Sequence, residues 1–394
     1  MSERREQHLP PSPPRRIPRR RALGAFAAAA FPGCLSLPGK AAASLKPDTA
    51  GTAVRPLYIG TYTSSGGAGI VQARYDPATG QLTSGGSLQM ANPSFLTLGN
   101  GHVLYATNEY EASVTALRTD GGLRVLNKAG TGGRGPCHLT THAAGHHLLT
   151  ANYETGSVAV HALAADGRIG NRTDLVQHTG SGPDPSRQSG PHAHMVLNDP
   201  AGNYILAIDL GTDTLHTYLL NTASGRLAAV SRAAARPGAG PRHAAFHPSA
   251  RYLYVANELD NSITVCGFDA VSGKVTPGPS VPTVPPGRRA AVRNYPAEVI
   301  VSADGAYLYV SNRGDDSIAR FALNDEGAQA TLLDAVSCRG ANPRHIALTR
   351  DGTWLFVANQ NSGTVTTFAR ERISGSLTPV TACAAVAAAC VLPL

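Results

Sequence analysis

The stretch that decides the fold is GPRHAAFHPSARYLYVANELDNSITV, residues 240 to 265. It contains a Gly-Pro-Arg-His turn, an apolar run from Tyr252 to Ala256, the dipeptide Asn257-Glu258, and a second strand-like run that starts at Ser262. Short runs of β-branched and aromatic residues bounded by Gly, Pro and Asn are typical of strands joined by tight turns. The stretch therefore predicts consecutive β-strands.

The same pattern recurs along the chain. Each full copy joins a proline to an apolar run that ends in Asn or Asp, and the six prolines are Pro93, Pro136, Pro191, Pro241, Pro296 and Pro343. They lie 43, 55, 50, 55 and 47 residues apart, which is the period of a four-stranded propeller blade. Solenoid repeats are usually shorter or helical. With a partial copy at 57–62, the sequence predicts an all-β, seven-bladed propeller of antiparallel blades over residues 55 to 394.

The partial copy predicts how the ring closes. It lacks the strand that a proline begins in the other copies, and the last strand-like segment of the chain surrounds Cys390-Val391-Leu392. We expect this C-terminal strand to complete the first blade, because closure leaves no exposed sheet edge. Two long loops, 181–190 and 277–295, precede innermost strands and are expected around the channel mouth, where propellers carry their sites.

Residues 1–43 are predicted to be an export signal of the twin-arginine type. A basic stretch ends at Arg21, the apolar run 22–31 follows, and small residues at 41–43 offer a cleavage site. Residues 44–54 would be a short linker. The alternatives are a disordered basic tail and a lipoprotein signal that ends at Cys34.

The signal sets the expected location and partners. The protein would be periplasmic or secreted after contact with the export machinery, or cytoplasmic if the segment is not a signal. Its apolar run is too short to span a membrane, and no later run reaches about 18 apolar residues, so no stable membrane insertion of the mature chain is expected. The full chain carries +8, but residues 1–43 hold seven Arg and one Lys against two Glu, which is +6. The remaining +2 does not favour nucleic-acid binding.

The cysteines favour neither zinc nor a disulfide framework. Five lie outside the signal, and none forms a CxxC pair: Cys137, Cys266, Cys338, Cys383 and Cys390. We expect mostly buried thiols, although Cys383 and Cys390 are close enough in sequence to permit a bridge. The chain also lacks a GxSxG motif and a phosphate-binding GxxxxGK[ST] loop. His142 with His146-His147 resembles a small metal cluster, but its position predicts an exposed turn. No metal or cofactor is expected.

Candidate site residues are the polar residues that single copies acquire for themselves. They are His192, His194, Arg242, His243, Glu258, Glu298, Arg313, Arg344 and His345. His192, Arg242 and Arg344 are predicted just after the proline of an innermost strand, together with Ala297-Glu298. Glu109, Glu258 and Arg313 follow the Asn that ends the second strand.

These two positions meet at one end of an antiparallel sheet, so we expect the candidates to surround one channel mouth. Arginine can hold a carboxylate or phosphate while His or Glu activates water, which suits a small anionic substrate. The alternative is an Arg–Glu network that only satisfies a polar channel.

Six ordered motifs carry a family resemblance: LYIGTYT at 57–63, GPHAH at 190–194, GPRH at 240–243, VANE at 255–258, PAE at 296–298 and SNRG at 311–314. Together they resemble the seven-bladed lactonase family, which includes the propeller-type bacterial 6-phosphogluconolactonases and fungal carboxy-muconate cyclase. The resemblance implies a metal-independent site for a lactone at one channel mouth. By matching position, it implies catalytic roles for His194, Arg242, Glu258 and Arg313, and substrate-binding roles for His192, His243, Glu298 and Arg344.

The resemblance implies lactone hydrolysis by general acid/base catalysis. His194 or Glu258 would activate water, and Arg242 and Arg313 would hold the anionic group and the developing oxyanion. A lactonising cycloisomerase and a non-catalytic exported binding propeller remain alternatives. Because 6-phosphogluconolactone arises in the cytosol, an exported enzyme would act on another sugar or organic-acid lactone.

Overall fold

A computed structural model describes residues 53–288, 292–324 and 326–394. The predicted export signal and nearly all of the predicted linker lie outside these residues. Within them, no helix has the length and apolar character needed to cross a membrane. The two helices described are single 3₁₀ turns, Thr63–Ser65 and Glu109–Glu111.

The described residues form seven four-stranded antiparallel sheets, which are the blades of the propeller. Blade 1 contains β1 (Arg55–Thr61), β2 (Ile70–Tyr75), β3 (Leu82–Leu88) and the last strand, β28 (Ala388–Pro393). Blade 2 contains β4 (Leu96–Leu98), β5 (Val103–Asn108), β6 (Ser113–Arg118) and β7 (Arg124–Gly130). Blade 3 contains β8 (Pro136–Thr141), β9 (His147–Asn152), β10 (Ser157–Leu163) and β11 (Ile169–Gln177).

Blades 4 to 7 repeat this order. Blade 4 contains β12 (Ala193–Asn198), β13 (Ile205–Asp209), β14 (Thr214–Asn221) and β15 (Arg226–Ala234). Blade 5 contains β16 (Pro241–Phe246), β17 (Tyr252–Asn257), β18 (Ser262–Asp269) and β19 (Lys274–Pro282). Blade 6 contains β20 (Tyr295–Val301), β21 (Tyr307–Arg313), β22 (Ser317–Leu323) and β23 (Ala330–Ser337). Blade 7 contains β24 (Pro343–Leu348), β25 (Trp354–Asn359), β26 (Thr364–Arg370) and β27 (Leu377–Ala384).

The innermost strands surround the central channel. Strands β28, β4, β8, β12, β16, β20 and β24 contact one another in that order and return to β28. The second strands are buried on both faces, as in β5 and β25, where every residue is buried. In the outermost strands, exposed side chains alternate with buried or half-buried ones, as in β19. These features confirm the predicted seven-bladed, all-β propeller.

The first blade is closed by the C-terminal strand, as predicted. β28 runs antiparallel to β1, with Leu57 opposite Pro393 and Ile59 opposite Val391. Val391 and Ile59 are fully buried, and Val391 packs in a cluster that also contains Phe356 of blade 7. The strand therefore joins the two ends of the chain and seals the junction between the first and last blades.

Deleting residues 386–394 should destabilise the whole ring. The deletion removes the buried β28 and exposes the backbone edge of β1, which would then be free to pair with another chain. We expect a lower midpoint of thermal unfolding and concentration-dependent aggregation, measured by circular dichroism and light scattering. An unchanged midpoint in a monomeric truncated protein would show that ring closure contributes little stability.

The Asn that ends the second strand ties the turn at the channel mouth. Asn257 Nδ2 donates to Ser262 Oγ at 2.9 Å and to Thr264 Oγ1 at 2.8 Å. Asn359 Nδ2 donates to Thr366 Oγ1 at 2.8 Å in the same arrangement. These buried amides bind side-chain hydroxyls of the following strand, so this recurring residue serves the fold.

One predicted loop is shorter than expected. Residues 277–282, assigned to the loop 277–295 from their prolines, form the end of β19 instead. Pro277, Pro279 and Pro282 fit because β19 is the outermost strand of blade 5, where a missing N–H breaks no further ladder. The irregular segment begins only at Thr283.

The cysteines of the described residues are free thiols. Cys137, Cys266, Cys338 and Cys390 are buried, and Cys383 is half-buried. The expectation of mostly buried thiols is confirmed, and Cys383 is not bridged to Cys390.

Candidate active site

An irregular start of the innermost strands shapes the channel mouth. In blade 5, Pro241 pairs with Asn257 and His243 pairs with Ala256, so Arg242 is an extra residue without a partner in the ladder. The same bulge leaves Cys137, His194, Arg344 and Ala389 as extra residues in blades 3, 4, 7 and 1. Bulges redirect side chains at the rims of barrels and beside active sites.

The bulge corrects one sequence assignment. His192 was placed with Arg242 and Arg344 because each follows a proline. In blade 4, however, Ala193 pairs with Asp209 as Pro241 pairs with Asn257, so the equivalent of Arg242 is His194. In blade 4, Pro191 and His192 are two extra residues before the first paired residue of the strand. The His192 N–H donates to Asp209 Oδ1 at 2.9 Å and takes no part in the strand pairing.

A pocket of about 180 Å³ opens at this mouth, and we call it the mouth pocket. It is lined by Glu109, Cys137, Tyr153, Arg187, His194, Glu258, Arg313 and Arg344. The structure thus brings together four of the predicted site residues, His194, Glu258, Arg313 and Arg344. Arg242 lies against the same pocket through its contact with Glu258.

Glu258 is enclosed by three guanidinium groups. Its Oε1 accepts from Arg187 Nη2 at 2.5 Å, and its Oε2 accepts from Arg313 Nη2 at 2.6 Å. Arg242 Nε lies 3.1 Å from Oε2 without the alignment of a hydrogen bond. Burial alone would raise the pKa of Glu258, but the three positive charges outweigh it and hold the pKa well below its usual range.

Arg242 is the most buried of these cations. Its side chain is 3% exposed, and its Nη1 donates to the Ala297 carbonyl at 2.7 Å. Burial, followed by the nearby charges of Arg313 and Arg344, lowers the pKa of Arg242 to about 9. The guanidinium therefore remains charged at neutral pH. Neighbouring negative charge balances its positive charge only in part, which favours the binding of an anion.

Arg344 has no carboxylate partner. Among the described residues it makes no hydrogen bond or ion pair, and its guanidinium lies over the Tyr62 ring at 5.2 Å from the centroid. The Tyr62 hydroxyl donates to Glu109 Oε2 at 2.7 Å, so Glu109 is already occupied. Burial opposes the charge, but Tyr62 and Glu109 raise the pKa of Arg344 above its usual range. Arg344 thus presents unused donors to the mouth pocket.

His194 faces these cations as a neutral imidazole. Its Nδ1 is 3.8 Å from Cys137 Sγ, and its ring meets the Tyr153 ring edge-on at 5.4 Å. Burial, then the charges of Arg242 and neighbouring groups, lowers the pKa of His194 well below its usual value. Nε2 makes no hydrogen bond with the described residues, so in the tautomer with its proton on Nδ1 the ring presents a lone pair to the mouth pocket.

His192 lies at the rim. Its ring stacks on Tyr153 with centroids 4.5 Å apart, and its Nδ1 is 2.8 Å from the Tyr153 carbonyl oxygen. These contacts hold Tyr153 against the pocket wall. His192 does not line the mouth pocket itself.

His243 and Glu298 lie one residue deeper along the channel. They belong to a second ring of side chains, formed in register by Phe95, His138, Met195, His243, Glu298, His345 and Cys390. Glu298 Oε2 is 3.0 Å from His243 Nδ1 and 3.3 Å from His345 Nε2. Their predicted substrate-binding role is untested, and the structure places them behind Arg242 and Arg344 rather than in the mouth pocket.

Sequence reasoning missed several pocket residues. Arg187 comes from the loop 181–190, which was expected at the mouth, but this arginine was not among the candidate site residues. Tyr153 follows Asn152 as Glu258 follows Asn257, so the repeat itself could have revealed it. Cys137 follows Pro136 as Arg242 follows Pro241, so the repeat could have revealed this position as well.

One cluster of three described residues is close enough to hold a metal: His178, Asp209 and His216. The two imidazoles are stacked, with centroids 3.9 Å apart and planes 20° from parallel. Because ring nitrogens coordinate in the plane of the ring, nearly parallel stacked rings do not aim at one ion. His178 already contacts Asp209 Oδ2 at 2.6 Å and the Tyr218 hydroxyl at 3.0 Å. The arrangement fits a hydrogen-bond network between blades better than a metal site.

The fold and its arginine-rich mouth pocket place this chain among the seven-bladed propellers of the lactonase class. Residues 56–393 match the family described as lactonase, 7-bladed beta-propeller, and the chain belongs to that family. The 6-phosphogluconolactonase of Bacillus subtilis (strain 168) is 34% identical over 294 residues, which cover 73% of this chain and 83% of that protein.

Two solved structures are also similar. A putative 6-phosphogluconolactonase from Bacteroides fragilis is 30% identical with a TM-score of 0.81, covering 89% of this chain and 100% of that one. The periplasmic gluconolactonase of Pseudomonas aeruginosa is 28% identical, also with a TM-score of 0.81, covering 87% of this chain and 99% of that one. These relatives carry names for both phosphorylated and unphosphorylated lactones.

Proposed function

We propose that this protein hydrolyses the ring ester of a sugar or organic-acid lactone in the mouth pocket. The observation that carries the proposal is a neutral imidazole, His194, beside a guanidinium without a carboxylate partner, Arg344, in a member of the lactonase family. The first group can accept a proton from water, and the second can hold a negatively charged or carbonyl oxygen.

His194 is the better of the two predicted bases. Glu258 is ionised, but its oxygens accept from Arg187 and Arg313, and its lowered pKa makes it a weak proton acceptor. His194 is neutral, and its Nδ1–H tautomer has a free lone pair on Nε2. We therefore assign water activation to His194 and assign Glu258 the role of holding the arginines in place.

The proposed reaction uses only side chains of the pocket. His194 Nε2 takes a proton from water as the water oxygen adds to the lactone carbonyl. Arg344 and Arg313 stabilise the negative charge that develops on the carbonyl oxygen, and the buried Arg242 adds to the positive field. As the ring C–O bond breaks, His194 returns the proton to the leaving oxygen. The product acid then ionises, so one proton is released per turnover.

The relatives support two substrate classes, 6-phosphogluconolactone and an unphosphorylated gluconolactone. We propose an unphosphorylated sugar lactone outside the cytoplasm. The proposal rests on the order of basic, apolar and small residues in 1–43 and on the similarity to a periplasmic gluconolactonase.

Acid release by the purified protein tests this function. A panel of phosphorylated and unphosphorylated aldonolactones would be followed with a pH indicator and corrected for spontaneous hydrolysis. Turnover that is highest on an unphosphorylated lactone supports the proposal, and a strong preference for the phosphorylated lactone would reassign the substrate class. Absence of catalysis on every lactone would favour the two alternatives, a lactone-forming cycloisomerase and a non-catalytic binding propeller.

Replacing Arg344 with Met should weaken binding of anionic lactones. Loss of a charged hydrogen bond costs about 1.5–3 kcal/mol, so KM should rise roughly ten- to hundredfold. The KM of neutral lactones should rise less. Arg350→Met is the matched control, because Arg350 lies at the other end of the channel. An unchanged KM for every substrate would remove Arg344 from the binding site.

A further inference from the structure

The channel continues below the mouth pocket as two further cavities. Cys137 and Arg344 line both the mouth pocket and a small cavity of about 10 Å³. Glu298 and His345 line both that small cavity and a third cavity of about 410 Å³. The third cavity extends along β20 and β24 to the turn residues Ala303 and Arg350, so it opens at the opposite end of the propeller. We call it the lower cavity.

Two imidazoles that contact the same carboxyl group lie between the small cavity and the lower cavity. His243 Nδ1 lies 3.0 Å from Glu298 Oε2, and His345 Nε2 lies 3.3 Å from the same oxygen. His345 Nδ1 accepts the Val391 N–H at 3.4 Å, so its proton is on Nε2 and is directed at Glu298. Within the described part of the chain, Glu298 has no arginine at ion-pairing distance, in contrast to Glu258.

His243 is suited to pass a proton to Glu298. Its Nε2 is buried without a hydrogen-bond partner among the described residues, and His243 lines the small cavity. A cavity of this size is just large enough for one water molecule. A proton that arrives on Nε2 converts the ring to imidazolium, and the Nδ1 proton can then move to Glu298. The ring is then neutral with its proton on Nε2, and it must return to the Nδ1–H tautomer before the next turnover.

We propose that His243 and Glu298 form a proton relay: when the product acid ionises in the mouth pocket, its proton passes through the channel to the lower cavity. The relay rests on the proposed function for its source of protons. The rings of His194 and His243 meet edge-on with centroids 5.0 Å apart. Cys137 and Arg344 line both the mouth pocket and the small cavity, so one water in the small cavity would connect the pocket to His243. While product occupies the mouth pocket, the lower cavity offers the proton a separate way to solvent.

The charges around Glu298 permit it to exchange protons. It faces Arg242 and His243 from β16, Arg344 and His345 from β24, and Cys390 from β28, while His138 of β8 contacts His243 from the other side. Burial raises the pKa of Glu298, although His345 and Arg242 oppose the shift. Glu298 is therefore easier to protonate than Glu258, whose pKa is lowered.

Glu298→Gln tests the relay, because Gln keeps the shape and the hydrogen bond to His243 but cannot take up a proton. At low buffer concentration we expect kcat to fall about tenfold or more with little change in KM, and the solvent deuterium isotope effect to increase. Formate, a small weak acid, should restore part of kcat by entering the lower cavity. A variant with wild-type kcat, isotope effect and buffer dependence would overturn the relay.

Two further variants keep the test decisive. Met195→Leu changes packing in the second ring outside the lining of the small cavity and removes no titratable group, so its isotope effect and buffer dependence should match those of the wild type. Ala303→Trp places a bulky group at the exposed edge of the lower cavity, and it should lower kcat at low buffer even if Glu298→Gln fails to fold. Normal turnover in Ala303→Trp with the cavity filled would exclude this route.

Infrared difference spectroscopy separates the relay from the proposed function. Lowering the pH from 8 to 4 should produce a carboxylic-acid band in the wild type that is absent from Glu298→Gln, because the pKa of Glu298 is raised from its ordinary value of 4.5. This holds whether or not the protein hydrolyses a lactone. Absence of any band that depends on Glu298 would overturn the relay. Lack of lactone turnover in the wild type, with the band present, would overturn only the proposed function.

Discussion

Glu258→Ala should cost about 3–5 kcal/mol in the free energy of unfolding, the cost of removing one partner from a buried ion pair. The substitution leaves Arg187, Arg242 and Arg313 facing one another without their shared carboxylate. Arg242 is almost fully buried and cannot turn to solvent. Arg187 is about one-third exposed and can, so we expect the lower half of this range.

Denaturant unfolding of Glu258→Ala measures this cost, and Glu109→Ala is its control. Glu109 lines the same pocket but accepts only from the Tyr62 hydroxyl, so its removal should cost about 1 kcal/mol. Equal stability of the two variants would contradict the three-arginine arrangement. Because the pKa of Glu258 is held below its unfolded value near 4.3, the stabilisation is complete above that pH and is lost only as the pH falls further.

His194→Asn should lower kcat by about 10²–10⁴, the usual contribution of a general base. Asn preserves a polar group beside Cys137 and Tyr153 but offers no basic nitrogen. In the wild type, kcat/KM should fall with decreasing pH only below about 6.5, because burial and Arg242 lower the pKa of His194 from that value. The variant should lose this acid limb.

Steady-state kinetics from pH 4.5 to 8 would measure both effects. His161→Asn is a suitable control, since His161 is equally buried but lies in β10 with its Nε2 directed at the Gly130 carbonyl. It should lower the melting temperature but leave kcat close to the wild-type value. Retention of kcat in folded His194→Asn would exclude His194 as the base and return Glu258 to consideration.

The architecture was predictable because the repeat is local. Each blade needs a turn before its innermost strand, an apolar second strand and an Asn that closes the next turn, and these needs recur at the blade period. The pairing of residues 388–393 with the first blade could also be predicted, because the partial first copy lacked a strand. The loop 277–295 was predicted too long, since prolines tolerated on the outermost strand were taken as loop residues.

The candidate site was predictable only in part. The repeat placed Glu258, Arg313 and Arg344 at one mouth and the family resemblance added His194, and the structure brings these residues into one pocket. It misplaced His192, because a bulge and two extra residues in blade 4 cannot be derived from the spacing of prolines. It also missed Arg187, which meets Glu258 across 71 residues of sequence. The catalytic and binding roles stay predictions until the variants are measured.

The sequence alone determined the seven blades, the closure of the ring and the end of the channel at which the polar residues gather. Those features follow from periodic turns and strands, which depend on neighbours close in the chain. Only the tertiary structure decided that Glu258 is enclosed by three arginines, that Arg344 has no carboxylate partner among the residues described and that Glu298 lines two cavities. Ion pairing, burial and pKa depend on distances between side chains of different blades, and the spacing of residues along the chain does not contain those distances.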